Sequence, residues 1–493
     1  MPSLSRRTFL SGVAALPFAT WFARQASATD TVPLIRYDLA CPEGQAMLQV
    51  YADAVAKMQA RATVDPMSWT WWWYTHFVDK ATTKAAEITR LFGDTTTPLG
   101  SLANQTWNTC QSHSGQNYNN FLPWHRMALL FLEKVIREVS GVPEFAMPYW
   151  NYTSPDPAQR GVLPLQFRSP ADPVYACLYR PDRKKPANTG LPIQTGQAGD
   201  PMDASVAMAK TAYSNVSKVQ GFCRAIDSGV HSSIHVLVGT ARNMGTVPFA
   251  ARDPLFWVHH ANIDRLWASW NANGGFNPAG ANWAKSLFVF ADPTGQPVST
   301  ALKDYFDIAT LGYSYDALVA PPAGAPAFAK SLLAARSRPG NPAPELLASA
   351  QQGTELGTRS TSVRLQSLGR ASLAAGRTGD GKRAYLVVRK LHTWVQPDVL
   401  YHLYVTPASG RAALGRDTYV GTINFFDAEF HDHGHGMMAE ALGDNFYSFD
   451  VTRLLEKFAR SGLGAGVQVT FVPGGQPNPA AKPLVSVIEL VRQ

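Results

Sequence analysis

Cys41, Cys110, Cys177 and Cys223 are the only cysteines among 493 residues, too few to scaffold a chain of this length with disulfides. One or two bridges stay open, and spacing alone does not say which thiols would pair. Charge is also scarce: 16% of residues are Asp, Glu, Lys or Arg, below the roughly 25% usual in soluble domains. The formal charge of +8 is spread along the chain without a Lys/Arg run, so no nucleic-acid partner is expected. No stretch approaches 18 uninterrupted apolar residues, so no membrane span is expected either. No internal repeat is visible. With 45% hydrophobic residues, the chain is not disordered and has ample material for a large core.

Aromatic residues are plentiful by contrast, with 13 Trp, 17 Tyr and 24 Phe, and several sit beside histidines. The N-terminus reads as an address. Ser5-Arg6-Arg7-Thr8-Phe9-Leu10 precedes an apolar run from Leu10 to Phe22, and Ala26-Ser27-Ala28 supplies a small-residue cleavage site. This is the pattern of a twin-arginine signal over residues 1–28, so the Tat export machinery is an expected partner and the protein is expected to be periplasmic or secreted. That pathway moves folded proteins, which suits an enzyme that gains a metal before export. Cleavage would remove Arg6, Arg7 and Arg24 and no acid, lowering the charge from +8 to +5.

Residues 29–319 read as one mainly α domain. Leu48–Ala62 has helical periodicity. Pro123 opens another helix, continued by Met127 to Val139 and stopped at Gly141. A Pro/Asp/Gly-rich insertion runs from Asn151 to Pro201, and helical text resumes over Met202–Phe222, Gly229–Gly239 and Pro254–Asn271. Residues 320–365 turn rich in Pro, Ala and Ser and are expected to be a linker. Strand-like runs follow at Arg383–Leu391, Leu400–Thr406, Thr418–Phe426, Phe446–Val451, Val467–Val472 and Pro483–Val491, predicting a C-terminal all-β sandwich or barrel over 366–493.

Seven of the twelve histidines fall between His76 and His260, and six of these form two candidate groups of three. His231-Ser232-Ser233-Ile234-His235 places two imidazoles one helical turn apart, able to share a metal. The next helix holds Asp253-Pro254-Leu255-Phe256-Trp257-Val258-His259-His260, with Asp264 four residues beyond His260 and so placed to orient that ring. Upstream, His125 lies in Phe121-Leu122-Pro123-Trp124-His125-Arg126, His113 precedes it, and His76 ends the tryptophan-rich run from Trp69. Any one of these would pass as a hydrogen-bonded core histidine. Two sets of three, each ending on an aromatic-rich helix, point to metal.

These residues resemble a known family, the type-3 copper proteins: tyrosinases, catechol oxidases and hemocyanins. Phe121-Leu122-Pro123-Trp124-His125-Arg126 is similar to the first copper signature, and Asp253-Pro254 through Phe256-Trp257, His260 and Asp264 to the second, over roughly residues 36–316. The resemblance implies a four-helix-bundle copper core in which His76, His113 and His125 bind one copper and His231, His235 and His260 the other, with His259 a packing neighbour. Tyr313-Ser314-Tyr315 resembles the motif that closes the catalytic domain, and Arg36 the arginine that packs on it through a cation–π contact. There are departures. His113 and His125 are twelve apart where nine is usual, and Cys110 stands three residues before His113 where a thioether-forming cysteine stands two before. Ser232 replaces an asparagine found in many hydroxylating relatives, and Asp227 replaces the usual glutamate that orients a water.

What the resemblance implies is a dinuclear copper enzyme of the tyrosinase or polyphenol oxidase type, with O2 as co-substrate and phenols or catechols as substrates. It would ortho-hydroxylate monophenols and oxidise o-diphenols to o-quinones, the chemistry that leads to melanin. Asp227, through a water, would help deprotonation, Ser232 is a second candidate catalytic position, and Val236 would line the entrance. Ser232 argues for the alternative of a catechol oxidase without hydroxylase activity; an oxygen carrier of hemocyanin type and a structural or zinc site are further alternatives. The tail resembles the C-terminal domain of plant polyphenol oxidases, which implies a lid. Within it, His431, His433, His435, Met437 and Met438 form a candidate copper-loading motif that would receive copper from a donor. His392 and His402 alternate with apolar residues and read as structural.

Overall fold

The computed structural model describes residues 33–110, 115–324, 344–367, 382–408, 413–429, 445–460 and 466–493. The signal segment 1–28, His113, and the motif of His431, His433, His435, Met437 and Met438 lie outside the described residues.

The first unit is a helical core. Its Pro42–Gln59 helix starts on Cys41, whose Sγ accepts the Gly44 N–H, with Pro42 in the first turn where a missing N–H costs nothing. The Phe121–Ser140 helix ends on Gly141 in the left-handed region (φ 72°), as the glycine stop predicts. It packs against the Leu255–Ala272 helix, which is buried from Leu255 to Trp270 and is therefore the central element rather than a surface one. The short Trp69–His76 helix is capped by Ser68 and gathers tryptophans: Trp71 meets Trp107 edge-on at 5.2 Å, and Trp69 and Trp72 each meet Trp257 at 6.4 Å. Strand β1 (Leu34–Arg36) pairs in parallel with β4 (Tyr313–Tyr315) and joins the two ends of the unit, while β2 (Leu287–Ala291) and β3 (Pro297–Ala301) form a hairpin.

The second unit is a C-terminal β region of two antiparallel sheets. One has the order β12 (Phe446–Asp450), β9 (Ala384–His392), β14 (Leu484–Arg492), β5 (Glu345–Ala350) and β8 (Gln366–Ser367), with β6 (Thr354–Glu355) also on β14. The other has the order β11 (Tyr419–Ile423), β10 (Tyr401–Pro407), β13 (Val467–Pro473) and β7 (Thr361–Arg364). Alternating residues of both sheets, such as Leu386, Val388 and Leu490 from the first and Leu403, Val405 and Phe471 from the second, share one core. Each of the six predicted strand runs contains a strand.

Three expectations are corrected. Residues 345–365, read as linker, supply β5, β6 and β7, because their partners β14 and β13 lie more than a hundred residues downstream. The β region also carries a helix, Thr452–Arg460, so it is not purely β. Met202–Phe222 is mostly loop with a short Ser205–Met208 helix; Val216 and Val219 form a bridge, and Lys218 and Gln220 are drawn out to the β region. No disulfide joins any two of the four cysteines, all of which lie among the described residues.

Candidate metal centre

A buried charge network fixes the helices that carry the histidines. Arg36 donates through Nε and Nη2 to Glu133 (2.9 and 3.0 Å) and through Nη1 to Asp264 (2.9 Å), with its guanidinium 4.0 Å over the Tyr313 ring. Asp264 also accepts from Arg126 Nε (2.5 Å) and from the hydroxyls of Tyr313 and Tyr315 (2.6 Å each). Burial alone would raise the Asp264 carboxyl; Arg126 and Arg36 override it and hold it below the ordinary value. The cation–π packing of Arg36 is therefore present. Asp264, however, does not orient His260: two arginines and two tyrosines use its oxygens, and it ties β1 and β4 to the central helix instead.

Two groups of buried side chains converge in front of this frame. His231, His235, His259 and His260 bring one ligand atom each within 4.8 Å of one another, and so do His76, Cys110 and His125. The groups abut, since the rings of His125 and His260 stack at 4.0 Å and 5°. Phe256 touches both, 5.0 Å from His76 and 4.2 Å from His260, and Phe121 lies 4.8 Å from His125 and 4.6 Å from His231.

The donor set fits a metal. Nδ1 of His125 is 2.8 Å from the Phe121 carbonyl, Nδ1 of His231 is 3.1 Å from that of Asp227, and Nδ1 of His235 is 2.7 Å from that of Met244. A carbonyl oxygen only accepts, so each Nδ1 carries the proton and each Nε2 keeps its lone pair. Nε2 of His231 and of His235 then face each other at 3.0 Å with no proton between them, an arrangement that a shared cation relieves. Both ring nitrogens of His259 and of His260 are buried without a hydrogen-bond partner. Burial first, then the neighbouring imidazoles, pushes both rings well below the ordinary histidine value, so they stay neutral and able to ligate.

The other predicted site residues stand as follows. Cys110 is buried with Sγ 3.8 Å from Nε2 of His125; its candidate thioether partner His113 lies outside the described residues. Asp227 sits behind His231, with Oδ1 3.1 Å from Nδ1 and Oδ2 taking Arg224 Nη1 at 2.8 Å. In that position the carboxylate lies against the His231 ring and beside the Arg224 guanidinium. Ser232 donates to the Asp227 carbonyl at 2.6 Å, so its hydroxyl closes the turn that leads into His231. Val236 is buried, and its carbonyl accepts Lys184 Nζ at 2.5 Å. His402 is held in the β region by Thr422 at 3.0 Å, and His392 packs edge-on against Trp394.

Comparison with known proteins decides what this arrangement belongs to. The common central domain of tyrosinase matches residues 66–174 and 168–273. Tyrosinase HcTyr1 of Hahella sp. is 30% identical over 409 residues, 78% of this chain and 83% of the relative. The chain belongs to the tyrosinase family. It is an oxidoreductase of the tyrosinase/catechol oxidase type, a dinuclear copper enzyme that oxidises phenols with O2. Polyphenol oxidase A1 of Vicia faba is 30% identical over 229 residues, 41% of this chain and 37% of that protein. Among solved structures, latent apple tyrosinase matches with a TM-score of 0.60 and 20% identity over 95% of this chain and 99% of the other, and latent aurone synthase with 0.60 and 18% over 94% and 90%. These structures share the fold.

For this tyrosinase-family chain, sequence reasoning missed Phe426. It follows β11, is buried, and stacks on the His235 ring at 4.2 Å and 12°. With Leu400 it belongs to the core of the helical unit although it comes from the β region. A phenylalanine in a strand-rich run reads as ordinary β core; nothing local marks it as a cover over a distant histidine.

Proposed function

We propose that His76, His113 and His125 hold one copper and that His231, His235 and His260 hold the other, and that the enzyme ortho-hydroxylates monophenols as well as oxidising o-diphenols to o-quinones. The observation carrying the ligand assignment is the inward-facing Nε2 set of His125, His231 and His235, each ring locked by an Nδ1–H on a backbone carbonyl. Bound copper supplies the electron transfer between phenol and O2. The chain fixes the rings of His125, His231 and His235 through their Nδ1 contacts and walls the buried space with Phe121, Phe256 and Trp124. The likeness to HcTyr1 over most of both chains supports hydroxylation. One observation favours the second reading, a catechol oxidase: Ser232 and Asp227 are both committed behind His231 and offer a docked monophenol no base. Quinone formed from both a monophenol and its catechol supports the first reading; quinone from catechol alone establishes the second.

The β region is the cover of this site. Phe426 occupies the face of His235 that a ring-shaped substrate would use, and cutting between the units within 320–344, ahead of β5, should raise catechol turnover. Unchanged turnover after the cut would remove the cover from the mechanism. Arg6-Arg7 and Ala26-Ser27-Ala28 support Tat export with cleavage after residue 28, and the His431–Met438 motif supports uptake from a copper donor.

A further inference from the structure

The turn that presents His231 is distorted. The chain kinks at Gly229 (φ −88°, ψ −111°) within Asp227–His231, and polar groups around the kink are held by side chains from outside it. Much of that support comes from the β region. Asn424 Nδ2 donates to the Ser228 carbonyl at 3.1 Å. Gln220, whose Nε2 donates to Ser228 Oγ at 2.8 Å, is itself fixed by Ser448 Oγ (2.9 Å) and the Phe446 carbonyl (2.8 Å). Arg224 completes the set: Nη1 donates to Asp227 Oδ2 (2.8 Å) and to Asp427 Oδ2 (3.1 Å), and Nη2 to Asn445 Oδ1 (3.0 Å). Arg224, Asp227, Asp427 and Asn445 are all buried. An unbroken chain of contacts thus runs from Asp427 and Asn445, one step from the covering Phe426, through Arg224 and Asp227 to Nδ1 of His231.

We propose that Arg224 is a positioning residue for the second copper half-site, and that Asp427 and Asn445 of the β region set it. The cover then tunes His231 in addition to blocking access. This rests on His231 being a copper ligand. With Asp427 in place, one guanidinium is shared by two carboxylates, and Asp227 keeps negative charge for the Nδ1–H of His231, which strengthens Nε2 as a donor and fixes the ring. Without Asp427, the Arg224 guanidinium is no longer shared between two carboxylates and draws Asp227 off the imidazole. The contacts just described run to His231 and do not include His76, Cys110 or His125, so the effect falls on one copper of the two.

The test is equilibrium transfer of Cu(I) from the loaded full-length enzyme to a chromogenic chelator, without oxygen. Asp427→Asn should weaken one copper equivalent roughly tenfold, the lower end of what loss of an outer partner costs, and leave the other unchanged. Asp427→Glu, which keeps the carboxylate, should restore most of it. Phe426→Ala removes the covering ring but not the relay and should leave both affinities as they were while catechol turnover rises. Asn445→Ala gives a smaller loss in the same half and serves if Asp427→Asn does not fold. Unchanged affinities in Asp427→Asn and Asn445→Ala, or equal losses at both coppers, overturn the relay. A wild type that binds fewer than two coppers brings down the ligand assignment, and the relay falls with it.

Discussion

The two halves of the copper site are built on different principles. In the second half, His231 and His235 are one turn apart, and His259 and His260 are neighbours on the long helix buried from Leu255 to Trp270, so the chain delivers two ready-made pairs that packing has only to join. In the first half, His76 ends one helix, His125 begins another, and Cys110 comes from the stretch between, so only tertiary packing brings them together. The β region treats them differently too. It stacks Phe426 on His235 and reaches His231 through Arg224, whereas on the first side it makes the ion pair Lys80–Glu429, four residues past His76. A cover that grips one half of a dinuclear centre can regulate it asymmetrically.

The largest effects should come from the ligands. His125→Ala and His235→Ala are each expected to lose one copper per chain, by atomic spectroscopy, and to lower quinone formation by more than the roughly 100-fold that an outer partner can cost. The comparison breaks if His125→Ala empties both halves, because the stack of His125 on His260 would then make the halves one unit.

The frame behind both halves comes next. Asp264→Asn leaves Arg36 and Arg126 buried without their shared carboxylate and should cost about 3–5 kcal/mol in denaturant unfolding. The Asp264 carboxyl is held below its ordinary value, so its contribution is fully present above the unfolded value and is lost as pH falls through the lower, folded one. Thermal unfolding of wild type should therefore fall steeply below about pH 4, and the Asn variant should show less of that loss. Copper content of both halves should drop together in this variant, in contrast to the ligand changes.

How much of this was legible before the structure follows the same division. The second half was readable because His231 and His235 share a helix face and the Asp253–Asp264 signature is continuous. The six strands were readable because each alternates within itself. What was not readable depends on partners far away in the chain. The segment at 345–365 looked like linker because β13 and β14 complete it from beyond residue 466. Asp264 stands four residues from His260, yet Arg36 and Arg126, brought from 228 and 138 residues away, take its oxygens. Asp227 looked like a base because nothing in the sequence pairs it with Arg224. Phe426 carried no signal, since its significance lies in the ring opposite.

Removing that ring sharpens the comparison. Phe426→Ala should cost about 3 kcal/mol of stability for a buried aromatic, yet raise catechol turnover, with KM falling more than kcat rises because access is what changes. Steady-state kinetics on the full chain checks it. A fall in kcat at unchanged KM would mean that Phe426 supports His235 instead of covering it.

The smallest effect concerns charge. In Lys80–Glu429, Lys218–Glu489 and Arg224–Asp427 the base belongs to the helical unit and the acid to the β region. Lys218 keeps 27% of its side chain exposed, so salt should screen its 2.6 Å pair with Glu489, whereas the buried Arg224–Asp427 pair is shielded from ions. Partly exposed pairs contribute up to about 1 kcal/mol, so Lys218→Met should loosen the cover by no more than about fivefold. Catechol turnover of wild type should rise modestly between 0.05 and about 1 M salt, where the screening length shrinks to roughly 3 Å, and the Lys218→Met enzyme should show a flatter response. If the variant responds to salt as steeply as wild type, the polarity of the interface is not what holds the cover down, and the grip lies in the buried contacts at Phe426 and Arg224 alone.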